Sequence, residues 1–133
     1  MFHSLKKALM LPVLLLMAAT AYAGNTAESF TKERFDALQA AGAPVLIDVH
    51  AVWCPTCKRQ GKILSEFQNT HAQCNLTILS VDFDDQKEWV THFKAPRQST
   101  LVLFNEGKRV WFSVAETRAS VINNALTSNI KEC

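Results

Sequence analysis

Glycine is scarce in this 133-residue chain, which holds only Gly24, Gly42, Gly61 and Gly107. With no internal repeat and no low-complexity tract either, solenoid and linker-rich architectures are set aside. A long apolar run is also missing. Ala8 to Ala19 is twelve residues, broken by Pro12, and a membrane-crossing helix needs about 20. No cysteine follows that run, so a lipid-modified terminus is not indicated. Charge of one sign is lacking too. Once residues 1–23 are set aside, 12 basic residues face 12 acidic ones, which gives no electrostatic reason for a nucleic-acid or anionic-membrane partner.

What is present begins with the leader. Lys6 and Lys7 precede the apolar run, and Ala21-Tyr22-Ala23 fits a small-x-small cleavage site. Residues 1–23 are therefore expected to be a signal peptide, with Gly24 as the first mature residue and no stable membrane insertion after its removal. The remaining 110 residues, 24–133, suit one compact domain. All four cysteines fall within it, and export places them where disulfides persist, here taken to be a bacterial periplasm.

Along the mature part, Thr31 is suited to cap a helix running to about Ala41, closed by Gly42-Ala43-Pro44. Val45 to Val49 is short, apolar and mostly β-branched, as a buried central strand should be, with Asp48 as the one acid inside it. From Cys57 to about His71, Ile63, Leu64 and Phe67 recur at helical spacing. Leu76 to Phe83 reads as a second strand, and Trp89, Val90 and Phe93 mark a short helix after Asp84-Asp85. Leu101 to Phe104, a turn at Asn105-Glu106-Gly107 and Val110 to Phe112 predict a hairpin, and an apolar stripe predicts a last helix after Thr117. Glu28 to Phe30 offers a weak additional edge strand. Strand, helix and strand in succession imply a right-handed parallel crossover, which puts residues 53–58 at the carboxyl end of a central strand.

Cys54 and Cys57, two residues apart at a helix start, sit where free N–H groups and the positive end of the helix dipole favour a thiolate. The thiolate is the nucleophile of disulfide exchange. Cys57, one turn on, can attack the resulting mixed disulfide, and Pro55 suits the first helical turn. Pro55 and Thr56 also influence the redox potential. A structural zinc site would need a second close pair, whereas Cys74 and Cys133 stand alone. Asp48, desolvated among aliphatic residues, should have a raised pKa and can accept a proton near neutrality; the alternative is a hydrogen-bonded structural acid.

The segment Val45-Leu46-Ile47-Asp48-Val49-His50-Ala51-Val52-Trp53-Cys54-Pro55-Thr56-Cys57-Lys58 resembles the active-site segment of thioredoxins, and the similarity continues from Leu76 to Gly107. The resemblance implies an α/β fold with a central mixed sheet of four or five strands flanked by helices on both faces. It implies thiol-disulfide oxidoreductase activity on exported protein thiols and disulfides, with a further redox partner to recharge the pair, no cofactor, no bound metal and a monomeric state. It makes Cys54 the exposed attacking thiol, Cys57 the buried resolving one, Asp48 the acid that handles the resolving thiol's proton and Trp53 the residue shielding the pair.

The chain departs from that pattern at the cis-proline opposite the cysteines. The stretch there is Gln98-Ser99-Thr100, with Ser99 at the proline's place. A non-proline cis bond costs about 3 kcal/mol, so a trans peptide is expected at Ser99. The missing ring leaves room beside two sulfurs, which keeps a metal or iron–sulfur protein open as an alternative, alongside a non-catalytic binding module. His50 is read first as a surface-satisfied histidine, the alternatives being an extra ligand or a group that tunes Cys54. Ser80 stands where many thioredoxins carry a lysine beside the buried acid. In a fold of this kind the helices ending near Cys74 and Cys133 share one sheet face and run away from the active-site end. A structural disulfide between them is therefore expected, the alternative being two free thiols.

Overall fold

The computed structural model describes residues 27–131 and 133. The expected signal peptide, residues 1–23, and the new terminus at Gly24 lie outside the described residues. In chain order the elements are β1 (Glu28–Ser29), α1 (Lys32–Ala40), β2 (Val45–His50), α2 (Pro55–Thr70), a single 3-10 turn (Ala72–Cys74), β3 (Thr77–Asp82), α3 (Lys87–His92), β4 (Thr100–Asn105), β5 (Lys108–Val114) and α4 (Ala119–Asn129). The strands form one mixed sheet in the order β1-β3-β2-β4-β5. β2 is its centre, parallel to β3 and antiparallel to β4. The fold is α/β, with the fifth strand supplied by the edge segment at Glu28.

Because side chains alternate along a strand, β2 feeds two separate cores. Val45, Ile47 and Val49 point to one face, where they join Phe35 and Leu38 of α1 and Val90 of α3. Leu46 points to the other and joins Leu64 and Phe67 of α2 with Ile122 and Leu126 of α4. Asp48 and His50 follow Leu46 in alternation and so lie on the α2 face. That places an acid and an imidazole under the helix that carries the cysteines.

Local signals explain the element ends. Thr31 Oγ1 accepts a hydrogen bond from the Arg34 N–H at 3.1 Å, capping α1. Gly42, at φ +66°, takes the left-handed conformation that ends the segment. The hairpin turns on Glu106 and Gly107, both at positive φ, the combination that suits two-residue hairpin loops. The last helix begins at Ala119 and has no side-chain cap. Cys74 and Cys133 are joined by a disulfide, with their Cα atoms 4.7 Å apart. Cys74 belongs to the core cluster shared by α2 and α4, and the bridge ties the chain's last residue to it.

Candidate active site

β2 ends at His50, and after three intervening residues the chain enters α2 with Cys54 as its N-cap. An N-cap normally offers a side-chain oxygen to the free N–H groups of the first turn. Here the sulfur does so: Cys54 Sγ accepts the Cys57 N–H at 3.1 Å. Pro55 is the first residue of the helix and exposed, and Thr56 is half-buried. The Cys54 side chain thus lies at the positive end of a 16-residue helix.

Both cysteines are unbridged and buried, Cys54 at 3% and Cys57 at 0% exposure. The expectation of an exposed Cys54 is therefore corrected. Ala51, Cys57 and Phe83 close around it, and Ser99 covers its sulfur. The exposed groups are its neighbours Val52 and Trp53. The Trp53 indole N–H donates to Asp84 Oδ2 at 2.7 Å, which ties the tryptophan to the loop after β3.

The two sulfurs differ electrostatically. Burial opposes a Cys54 thiolate, but contacts with the Cys57 and Ser99 side chains and the backbone N–H groups of Cys57 and Thr56 outweigh it, and the thiol falls below its ordinary value. Burial first, and the adjacent Cys54 sulfur second, push the Cys57 thiol up, with Ser99 offsetting only part. The outer sulfur is the one prepared to carry charge.

Ser99 is fully buried, and its hydroxyl lies 3.1 Å from both Cys54 Sγ and Cys57 Sγ. The described residues contain no cis peptide bond, so the Ser99 peptide is trans, with φ +66° at Ser99 itself. Its N–H donates to Val49 O at 2.8 Å, and its carbonyl accepts from the Ala115 N–H at 2.9 Å. Gln60, fully buried in α2, donates from Nε2 to Ser99 O at 3.1 Å and to Glu116 O at 3.0 Å. Of the flanking residues, Gln98 is half-buried, while Thr100 is buried and donates from its hydroxyl to Arg97 O at 2.6 Å. Gln60 was missed as a site residue, although a glutamine three residues after Cys57 and four before Leu64 falls in the buried stripe of the helix.

Asp48 is 4% exposed, and its Oδ1 has no hydrogen-bond partner. Burial pushes its carboxyl up to about 6, against a lowering by His50. No hydrogen bond joins it to either sulfur. Instead it borders a cavity of about 360 Å³ with His50, Gly61 and Ser80, its register partner on β3. His50 and Gly61 also border the groove along Cys57 and Lys58. Among the described residues no group of three or more His, Cys, Asp or Glu is gathered as a metal would require. His50 does not complete a ligand set with the sulfurs.

A Cys-x-x-Cys pair that starts a helix at the carboxyl end of the central strand of a mixed sheet resembles the thioredoxin arrangement, and the thioredoxin family model matches residues 26–132. The chain belongs to the thioredoxin family. Members of this family are thiol-disulfide oxidoreductases, and the Cys54–Cys57 pair is the redox centre this chain shares with them. It is similar to the thioredoxin of Alicyclobacillus acidocaldarius, 30% identical over 82 residues that span 62% of this chain and 77% of the relative. Among solved structures, Trxlp from Edwardsiella tarda is 40% identical with a TM-score of 0.72, covering 76% of this chain and 98% of that one. A mutant thioredoxin from Halobacterium salinarum, 19% identical with a TM-score of 0.71 over 84% of this chain and 96% of its own, shares the fold. Ser99 stands at the place where the resemblance to thioredoxins puts a proline. It sets a hydroxyl 3.1 Å from both sulfurs.

Proposed function

We propose that this thioredoxin is exported, loses residues 1–23, and exchanges disulfides with the thiols of other exported proteins as a monomer in the periplasm. The leader's charge, apolar run and Ala21-Tyr22-Ala23 support export. A Cys74–Cys133 disulfide is the kind of bond that persists in an oxidising compartment.

One observation carries the chemistry: the Cys54 sulfur caps α2 and is the lower-pKa member of the pair. Its thiolate attacks a sulfur of the partner's disulfide, forming a mixed disulfide and releasing the other partner sulfur as a thiolate. Cys57 then gives up its proton and attacks Cys54 Sγ. The Cys54–Cys57 bond forms, and the second partner sulfur leaves as a thiolate. In reverse the same steps oxidise a partner dithiol. Asp48 is the acceptor assigned to the Cys57 proton; the two make no direct hydrogen bond, and the cavity that Asp48 borders meets the groove along Cys57 at His50 and Gly61. Exposed Trp53 and Val52, with half-buried Gln98, shape the surface that meets the partner, while Ser99 and Thr100 are buried and act from beneath it.

Insulin reduction by the wild type and by Cys54→Ser tests this reading. Activity is expected in the first and none in the second, while Cys57→Ser should accumulate the mixed disulfide. Equal rates in wild type and Cys54→Ser count against it. The mass of the protein recovered from the periplasm should begin at Gly24.

A further inference from the structure

A serine hydroxyl has one hydrogen to donate and lone pairs to accept with. Ser99 Oγ lies 3.1 Å from each sulfur, inside hydrogen-bonding distance of both. With two neutral thiols the oxygen could accept from both; once one sulfur is a thiolate, the hydroxyl's hydrogen goes to that sulfur and a lone pair is left to accept from the other. The surroundings choose the direction. Cys54 Sγ already receives the Cys57 N–H and sits at the helix end, where negative charge is favoured. Cys57 is fully buried, which favours the neutral thiol.

We infer that Ser99 is a catalytic residue of this centre: its hydroxyl donates to the Cys54 thiolate while accepting the Cys57 S–H, a two-bond chain that keeps charge on the nucleophile and the proton on the resolver. The inference rests on the reading of Cys54 as nucleophile.

The protein invests backbone strain in holding that hydroxyl. A non-glycine residue at φ +66° is disfavoured, yet Ser99 is fixed there by Val49, Ala115 and Gln60. Full burial also excludes water that would compete for the sulfurs. A proline at 99 would supply neither the hydroxyl nor the N–H that binds Val49 O. The site is thus built around serine and is not a proline site with its ring removed.

The test is the pH dependence of Cys54 alkylation by iodoacetamide, assigned by peptide mass, in the reduced pair of the mature protein with its Cys74–Cys133 bridge intact. Ser99→Ala deletes the hydroxyl and keeps the Cβ. Ser99→Gly deletes it and also suits the left-handed backbone, so that a folded variant is at hand if the alanine form fails. Loss of a hydrogen bond to a charged sulfur should raise the Cys54 midpoint by about one to two pH units in each folded variant. A midpoint that stays at the wild-type value in a folded variant overturns the inference, as does a rise confined to one of two folded variants. Both variants keep Cys54 and Cys57, so this result is independent of the Cys54→Ser comparison in insulin reduction, which judges the underlying reading.

Discussion

Asp48 and His50 are two residues apart on β2, face the same side of the sheet and border one cavity beneath α2. The Asp48 carboxyl is held at about 6 against an ordinary 3.8 because burial disfavours its charged form. The folded protein therefore binds this proton more tightly than the unfolded chain. Well below the ordinary 3.8 both states are protonated and the group is neutral in its effect. As pH rises through 4 to 6, stability is lost, reaching about 3 kcal/mol above that range. Asp48→Asn should remove most of this penalty, raising stability at pH 7.5 by roughly 2 kcal/mol once the buried amide's own needs are counted. Urea unfolding at pH 4 and 7.5 checks it; equal midpoints for the two proteins at pH 7.5 would refute the assignment.

The frame of the molecule was legible because its signals are local. Val45 to Val49 could only be a strand buried on both faces, and Thr31 and Gly42 bracketed the first helix as they do in the structure. Even the two-residue strand at Glu28 left a trace. The pair Cys54 and Cys57 stood out because its signature, two cysteines one turn apart at a helix start, is local in sequence. Burial of Cys54 did not, since the groups that cover it, Phe83 and Ser99, arrive from the turn after β3 and from the approach to β4. Gln60 was hidden for a related reason: a glutamine in a helix reads as solvated until its carbonyl partners, Ser99 and Glu116, are brought to it by the fold. Asp48 was legible as a perturbed acid, but its separation from the sulfurs was not.

The disulfide offers a test of stability apart from chemistry. Cys74 and Cys133 are 59 residues apart in sequence, and closing such a loop stabilises a chain by about 4 kcal/mol in the chain-entropy account. Cys133→Ala should lower the unfolding free energy by an amount of that order. Insulin reduction should be retained at temperatures where the variant is folded, because the bridge lies beyond the far end of α2 from Cys54. A variant as stable as the wild type in urea would show that the bridge constrains little.

Two glycines should respond to alanine in opposite directions. At Gly42 an added Cβ meets nothing closer than Glu106 Cα at 3.7 Å, so space is not the obstacle; the φ of +66° is. Gly42→Ala should destabilise by about 1 kcal/mol, the cost of left-handed backbone in a residue with a Cβ. Gly61, inside α2, has open space around its would-be Cβ. Gly61→Ala should stabilise by about 0.5–1 kcal/mol through helix propensity. Thermal melts of the two variants with the wild type between them check both signs at once.

Gln60 joins the helix of the cysteines to the loops on either side of the β4–β5 hairpin, donating from one amide nitrogen to Ser99 O and Glu116 O. Gln60→Leu keeps most of the volume but deletes both donors. Ser99 O would still have the Ala115 N–H, so the larger loss falls on Glu116 O. The wild-type Gln60 Oε1 is buried without a partner, and leucine removes that burden. The net effect should be a destabilisation of about 1–2 kcal/mol, less than the loss of two buried hydrogen bonds would suggest. The more telling readout is the Cys54 alkylation midpoint. If Gln60 positions the Ser99 hydroxyl, the midpoint in Gln60→Leu should move upward in the same direction as in Ser99→Ala but by less, because Val49 and Ala115 still hold the Ser99 backbone. A loss of stability with an unmoved midpoint would assign Gln60 to packing alone.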